Sequence, residues 1–338
     1  MKTPATTQCF AIGAALLCAT STSHAATLPF LGGNNTDSNW NVGTNWTGGS
    51  VPGSGDTALV NQNRRAFVDS DVAFGGILVN QNTSNGAQTS EVDVRTGGIL
   101  AVSTASNGSS VGGHGLIKVT GGTMTTTGAV TNRDVISLES GNLSLLNTAT
   151  GGNNVALSAA SGSLNVTGGA LIVGAAMTSG TMQFYSAIDI SAGSFTTVAQ
   201  TFFVDTSLTI NGDAATISFK DLNQTAGRAV DLNFDFGATD VSTITSTGFM
   251  NLAGATINVD GSGYSGGANV FTLLESANYG DDVFAGQLVA GFAGLDGVVS
   301  ASGNDLILTL TTTIPEPGTY ALLAGLTGLV WVMVRRRR

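Results

Sequence analysis

The chain has 338 residues, with 12 Lys and Arg against 22 Asp and Glu, for a formal net charge of −10. Such an acidic chain is a poor electrostatic partner for nucleic acid, whose binding rests on neutralising phosphates. Charged residues make up only 10% of it and glycines number 47, yet Val, Ile, Leu and Phe recur in alternation, which disorder does not require.

At the N-terminus, Lys2 precedes the apolar run Phe10 to Cys18, and Ser23-His24-Ala25 offers small residues ahead of a cleavage point after Ala25. Residues 1–25 are thus expected to be a secretory signal peptide. A lipoprotein signal would want a small residue before Cys18, where Leu17 stands. Both cysteines, Cys9 and Cys18, fall in this leader. The mature chain then has no disulfide and no Cys metal site, although export would permit disulfides.

Residues 26–95 are read as an N-terminal cap and first rungs. Trp40-Asn41-Val42-Gly43-Thr44-Asn45-Trp46 precedes Pro52-Gly53-Ser54-Gly55-Asp56 and a strand expected over Thr57 to Asn61. This resembles the opening segment of autotransporter-like β-helix surface proteins. Trp40 and Trp46 can plug the open end of an apolar stack; the functional alternative is a sugar-stacking platform.

Residues 96–229 are read as solenoid rungs. Alternating stretches such as Leu116-Ile117-Lys118-Val119-Thr120, Leu164-Asn165-Val166-Thr167 and Ile188-Asp189-Ile190-Ser191 each run into a glycine turn and a second short stretch. Alternation places Val, Ile and Leu inside and Ser, Thr and Asn outside. Gly98, Gly122, Gly141, Gly162 and Gly193 supply corners where positive φ is needed. No long segment between residues 27 and 313 keeps a helical apolar period. The fold class is therefore all-β, a right-handed parallel β-helix or solenoid, with a β-sandwich as the alternative. Residues 230–313 form a C-terminal β region and linker, with strands at Phe271 to Glu275 and Asp305 to Leu310. Tyr264, Tyr279, Phe284 and Phe292 are expected to pack it.

Candidate chemistry is sparse. A glycosidase needs two carboxylates ~5–9.5 Å apart. Asp69/Asp71, Glu91/Asp93 and Asp281/Asp282 are the nearest pairs, and each reads more simply as a solvated edge or turn. A lyase wants clustered cations, whereas Lys118, Arg133 and Lys220 sit in separate segments. His114 is the single histidine after the leader, in a glycine-flanked turn. No catalytic, cofactor-binding or metal-ligating residue is assigned, and no cofactor is expected.

At the C-terminus, Pro315-Glu316-Pro317 leads into the uncharged run Gly318 to Val334, and Arg335, Arg336, Arg337 and Arg338 end the chain. As a helix at ~1.5 Å per residue, the run 318–334 spans roughly 26 Å, the short end of a membrane crossing. The arginines place that end in the cytoplasm, and Trp331 suits the interface. Residues 314–338 resemble the PEP-CTERM sorting signal of exopolysaccharide-producing Gram-negative bacteria. The resemblance implies an exosortase-type sorting enzyme as partner, a transient stay in the inner membrane and release to the cell surface or extracellular matrix. The expected function is adhesion or scaffolding by a non-catalytic surface protein, with exopolysaccharide as a partner and no nucleic acid. The alternative is a β-helix polysaccharide lyase or hydrolase acting on matrix glycans.

Overall fold

The computed structural model describes residues 25–32, 36–79, 89–108, 114–128, 130–146, 153–157, 162–175, 177, 180–225, 228–279, 286–313 and 317–336. It is an all-β parallel solenoid of about 8 turns followed by one C-terminal helix. Three parallel ladders build it. Face A stacks Asp37–Asn39, Arg65–Val68 and Thr89–Arg95. It continues through the first halves of His114–Thr126, Val135–Leu145, Ser163–Val173, Ala187–Thr197 and Thr206–Phe219. Stacking carries on past residue 229 through Val230–Asp235, Thr256–Asp260 and Gly286–Ala290. The second halves of the long strands form face B, and shorter strands from Thr27–Pro29 to Asp221–Gln224 form face C. The β-sandwich alternative is excluded, because successive turns pair in parallel.

The alternation in the sequence becomes two aliphatic columns inside face A. One is Ala66, Val92, Ile117, Ile136, Leu164, Ile188, Leu208, Leu232 and Ile257. The other starts at Val68 and Val94 and ends at Phe234 and Val259. All are buried. A single rung would leave this face wet, so burial exists only through stacking. Where face C turns into face A, two buried asparagines tie successive turns together. Asn107 Nδ2 donates to Asn132 Oδ1 at 3.1 Å and to the Val135 carbonyl, and Asn132 Nδ2 donates to the Ser163 carbonyl at 2.8 Å.

The corner from face A to face B is made of stacked backbone. Gly141, Gly169 and Gly193 hold φ of +83°, +72° and +82°. A Cβ added to Gly169 would lie 2.6 Å from the Gly141 carbonyl oxygen, and one on Gly193 2.5 Å from that of Gly169. Two of the expected corner residues are displaced by one position, since Gly97 and Gly121, not Gly98 and Gly122, carry the positive φ. Gly162 is a correction: it sits one residue before Ser163–Val173, at the entrance to face A, and Gly169 is the corner of that turn.

Both ends are closed. Trp40 is fully buried and stacks on Phe74 with ring centroids 5.0 Å apart. Trp46 meets Trp40 edge-on at 4.6 Å and donates its indole N–H to the Trp40 carbonyl at 2.7 Å. The strand expected after Asp56 forms over Thr57–Val60. At the other end the pairing becomes antiparallel, with Asp305–Thr312 between Val270–Tyr279 and Leu295–Ser302. Phe236, Tyr264, Phe271 and Phe292 pack edge-to-face beneath it. Tyr279's side chain and Phe284 lie outside the described residues.

Among the described residues no helix is long and apolar enough to cross a membrane. A helix does stand at the expected place, α1 (Pro317–Arg336), with side chains described from residue 321 on. Of the leader expected over residues 1–25, residues 1–24 lie outside the described residues, as do Pro315, Glu316, Arg337 and Arg338.

Candidate functional site

The outer surface of face A carries most of the chemistry of the body. Strand alternation points every second residue outward, and parallel stacking lines those residues up across turns. In the first turns the column reads Asp37, Arg65, Glu91 in register, beside Phe67, Asp93, Lys118. Arg65 pairs with Glu91 at 2.7 Å and with Asp37 at 3.5 Å. Arg95 pairs with Asp93 at 2.7 Å and also with Asp37, and its guanidinium lies 4.5 Å over the Phe67 ring. Lys118 reaches Glu139 at 2.9 Å. Hydrogen bonding from Arg95 pulls the Asp37 carboxyl below its ordinary range, and Glu139 pushes the Lys118 amine up. In this half of the face each of these cations is held by a carboxylate of the same face.

The later turns differ. Thr209, Asn233 and Asn258 stand in one outward column. Asn258 Nδ2 donates to Asn233 Oδ1 at 2.8 Å, and Asn233 Nδ2 donates to Thr209 Oγ1 at 3.0 Å. Beside them Asp235 and Asp260 are register partners on adjacent turns. An open groove of about 420 Å³ is lined by Thr209, Asn233, Asp235, Asn258, Asp260 and Leu288, among others. Burial pushes the Asp235 carboxyl up, and the nearby Asp260 and Asp189 carboxylates add to it. Among the described residues no Lys or Arg forms an ion pair with Asp189, Asp231, Asp235 or Asp260. The nearest cation along the chain, Arg228, is engaged by Asp205 at 2.7 Å.

The carboxylate pairs picked from the sequence sit elsewhere. Asp69 and Asp71 lie in the turn between Arg65–Val68 and Val72–Val79, where Asp69 accepts from Asn39 Nδ2 at 3.0 Å. Glu91 and Asp93 share the outward face of Thr89–Arg95 but are bound up with Arg65 and Arg95. Asp281 and Asp282 lie outside the described residues. Lys118 belongs to the face A network, which neither Arg133 nor Lys220 joins through an ion pair. His114 is the first residue of His114–Thr126 rather than a turn residue, with Nδ1 3.4 Å from Asp134. Among the described residues no group of three or more His, Cys, Asp or Glu could hold a metal ion.

Asp235 and Asp260 were not singled out by sequence reasoning. A readable signal exists, because Leu232-Asn233-Phe234-Asp235 and Ile257-Asn258-Val259-Asp260 repeat one apolar-Asn-apolar-Asp pattern. In a solenoid such a repeat places like groups one above the other. Of the sorting motif, Pro317 is the first residue of α1, and Arg335 and Arg336 end it. Arg335 lies 4.9 Å over the Trp331 ring, and Leu322, Leu326, Val330 and Met333 are exposed along the helix.

No protein-family model, curated protein or solved structure matches this chain.

Proposed function

We propose that this chain is an exported, non-catalytic surface or matrix protein whose face A groove holds glycan chains of the exopolysaccharide layer. One observation carries the reading: the hydrogen-bonded column Thr209, Asn233, Asn258 repeats amide and hydroxyl groups at the rung spacing along an open groove. A repeating array suits a repeating polymer, whereas a small substrate wants an enclosed pocket with convergent polar groups. The winding is right-handed, following the general rule for parallel crossovers. Delivery uses residues 1–25 as leader and the PEP-CTERM-like residues 314–338 as a temporary inner-membrane address. Residues 318–334 form the span, and an exosortase-type enzyme cuts near Pro315-Glu316-Pro317. The outward apolar side chains of α1 and the arginines that end it support that reading.

The test is retention of the purified protein on immobilised exopolysaccharide from the producing cells. Replacing Asn233 and Asn258 together by Ala should cut retention at least tenfold and leave the circular dichroism spectrum unchanged. Equal retention would sink the groove assignment. For delivery, mass spectrometry of surface-located protein should find a C-terminus ahead of Gly318. An intact Arg338 there argues for a permanent anchor.

A second reading, a glycan hydrolase, is favoured by one feature. Asp235, held protonated to higher pH than usual, sits in register with Asp260, as an acid beside a carboxylate would. Release of reducing ends from the same glycan, lost in Asp235→Asn, would replace the binding reading by this one.

A further inference from the structure

The start of the body holds a feature that neither the groove nor the sorting signal uses. Ala25 and Ala26 are both exposed, and Ala26 stands directly before the first strand, Thr27–Pro29. The Ala26 nitrogen donates to Asp56 Oδ1 at 3.1 Å, and its carbonyl accepts from the Thr57 nitrogen at 2.7 Å. The other carboxylate oxygen, Asp56 Oδ2, accepts from the Gly53 nitrogen at 2.8 Å. Asp56 is thus a two-sided clasp, tying the loop that precedes Thr57–Val60 to the residue that opens the first rung. Backbone donation from Gly53, then Ala26, holds its carboxyl below the ordinary range.

The sequence places leader cleavage between Ala25 and Ala26, so the nitrogen held by Asp56 is the one that cleavage would free. Hydrolysis of that bond consumes one water. The oxygen completes the Ala25 carboxylate, which leaves with the leader, and the Ala26 nitrogen becomes an amine that is protonated near neutral pH. We propose that Asp56 is the acceptor of the processed N-terminus: cleavage turns a neutral amide contact into an ion pair, and this fastens Thr27–Pro29 onto the first rung. Ions hydrogen-bonded to a carboxylate bind more strongly than neutral N–H donors. The strands around Ala26, Thr27–Pro29, Thr57–Val60 and Val72–Val79, contain no charged residue, and neither does the loop Val51 to Gly55. Asp56 is therefore the titratable partner these segments offer. The strand so fastened also carries the chain into Phe30, which packs on Trp46 with ring centroids 5.0 Å apart. Fastening it secures the aromatic plug.

This inference rests on the export reading, and the experiment separates the two. The chain is released from a fusion by a protease that leaves Ala26 first, and the amine is titrated by its rate of acylation against pH. Near pH 7 the wild-type amine should react about threefold more slowly than that of Asp56→Asn, as an ion-paired ammonium does. In parallel, chemically acetylated Ala26 with Asp56 intact should show about threefold faster hydrogen exchange at the Thr57 amide than the free-amine form. Equal acylation rates and equal exchange overturn the proposal while leaving export untouched. Mass spectrometry of the exported protein should find Ala26 first. A different N-terminus removes the leader reading, and the proposal with it, whatever the acylation rates.

Discussion

Replacing Gly169 by Ala tests the stacked corner directly. The residue holds φ of +72°, and a Cβ there would meet the Gly141 carbonyl oxygen at 2.6 Å, the Ser140 carbonyl carbon at 2.9 Å and the Gly141 nitrogen at 3.0 Å. All three are backbone atoms, so no side chain can swing aside. The left-handed conformation costs Ala about 1–2 kcal/mol. Forcing the backbone of the adjacent turn away adds about 1–3 kcal/mol, as overpacking does. The reduced freedom of the unfolded chain returns about 0.4–1 kcal/mol. The net loss is about 1–5 kcal/mol, with the centre near 3. Gly212 is the internal control, with φ of +73° and no atom within 4 Å of a built Cβ. Gly212→Ala should cost only about 1 kcal/mol, the conformational part. Urea unfolding of both variants, followed by far-ultraviolet circular dichroism, gives the totals. Hydrogen exchange then locates the damage, which should fall on the turns around Gly141 and Gly193 and spare Asp305–Thr312. If the two variants lose the same stability, the column is not a steric stack and the reasoning fails.

Trp40→Ala should destabilise the chain by about 3–5 kcal/mol, since a fully buried aromatic end plug is lost. Glycan retention per folded molecule should be unchanged, and a selective loss of retention would revive the sugar-platform role. Leu164→Ala, in the middle of the aliphatic column, should cost about 2–5 kcal/mol in urea midpoint experiments. Asp37 has a depressed folded pKa, so its stabilising effect is present above the ordinary value of 3.8 and is lost as pH falls through the folded value. The stability gap between wild type and Asp37→Asn should therefore be visible at pH 6, close below pH 3.8 and shrink in high salt. Asp235 has the opposite sign: its raised pKa means the ionised form is disfavoured in the fold, so Asp235→Asn should stabilise at pH 7 and lose that advantage as the wild-type carboxyl protonates.

The all-β solenoid was legible because its cause is local. Ile188-Asp189-Ile190 states by itself which residues face inward, and the stacked columns repeat that statement turn after turn. The tryptophan plug was legible for the same reason, as two large apolar groups ahead of a glycine-proline turn. Cross-turn partnerships were not. Arg65 and Glu91, or Asp235 and Asp260, are brought together by turn length, and the turns vary too much for spacing to be read unaligned. That is why Asp69 and Asp71, spaced in sequence like a pair on one strand face, proved to be neighbours in a bend. Gly162 was misplaced for a related reason: glycines serve more than one corner of each turn, and only backbone φ separates them.

The two closures have a consequence for growth. A solenoid is in principle a polymer of turns, and an uncovered final rung would template another molecule's first one. Here the Trp40 and Trp46 plug covers the first rung, and the reversed pairing of Asp305–Thr312 covers the last strand of face B. Among the described residues face A ends on Gly286–Ala290, whose ladder partner is Thr256–Asp260, so end-to-end addition of a strand is confined to that one short edge.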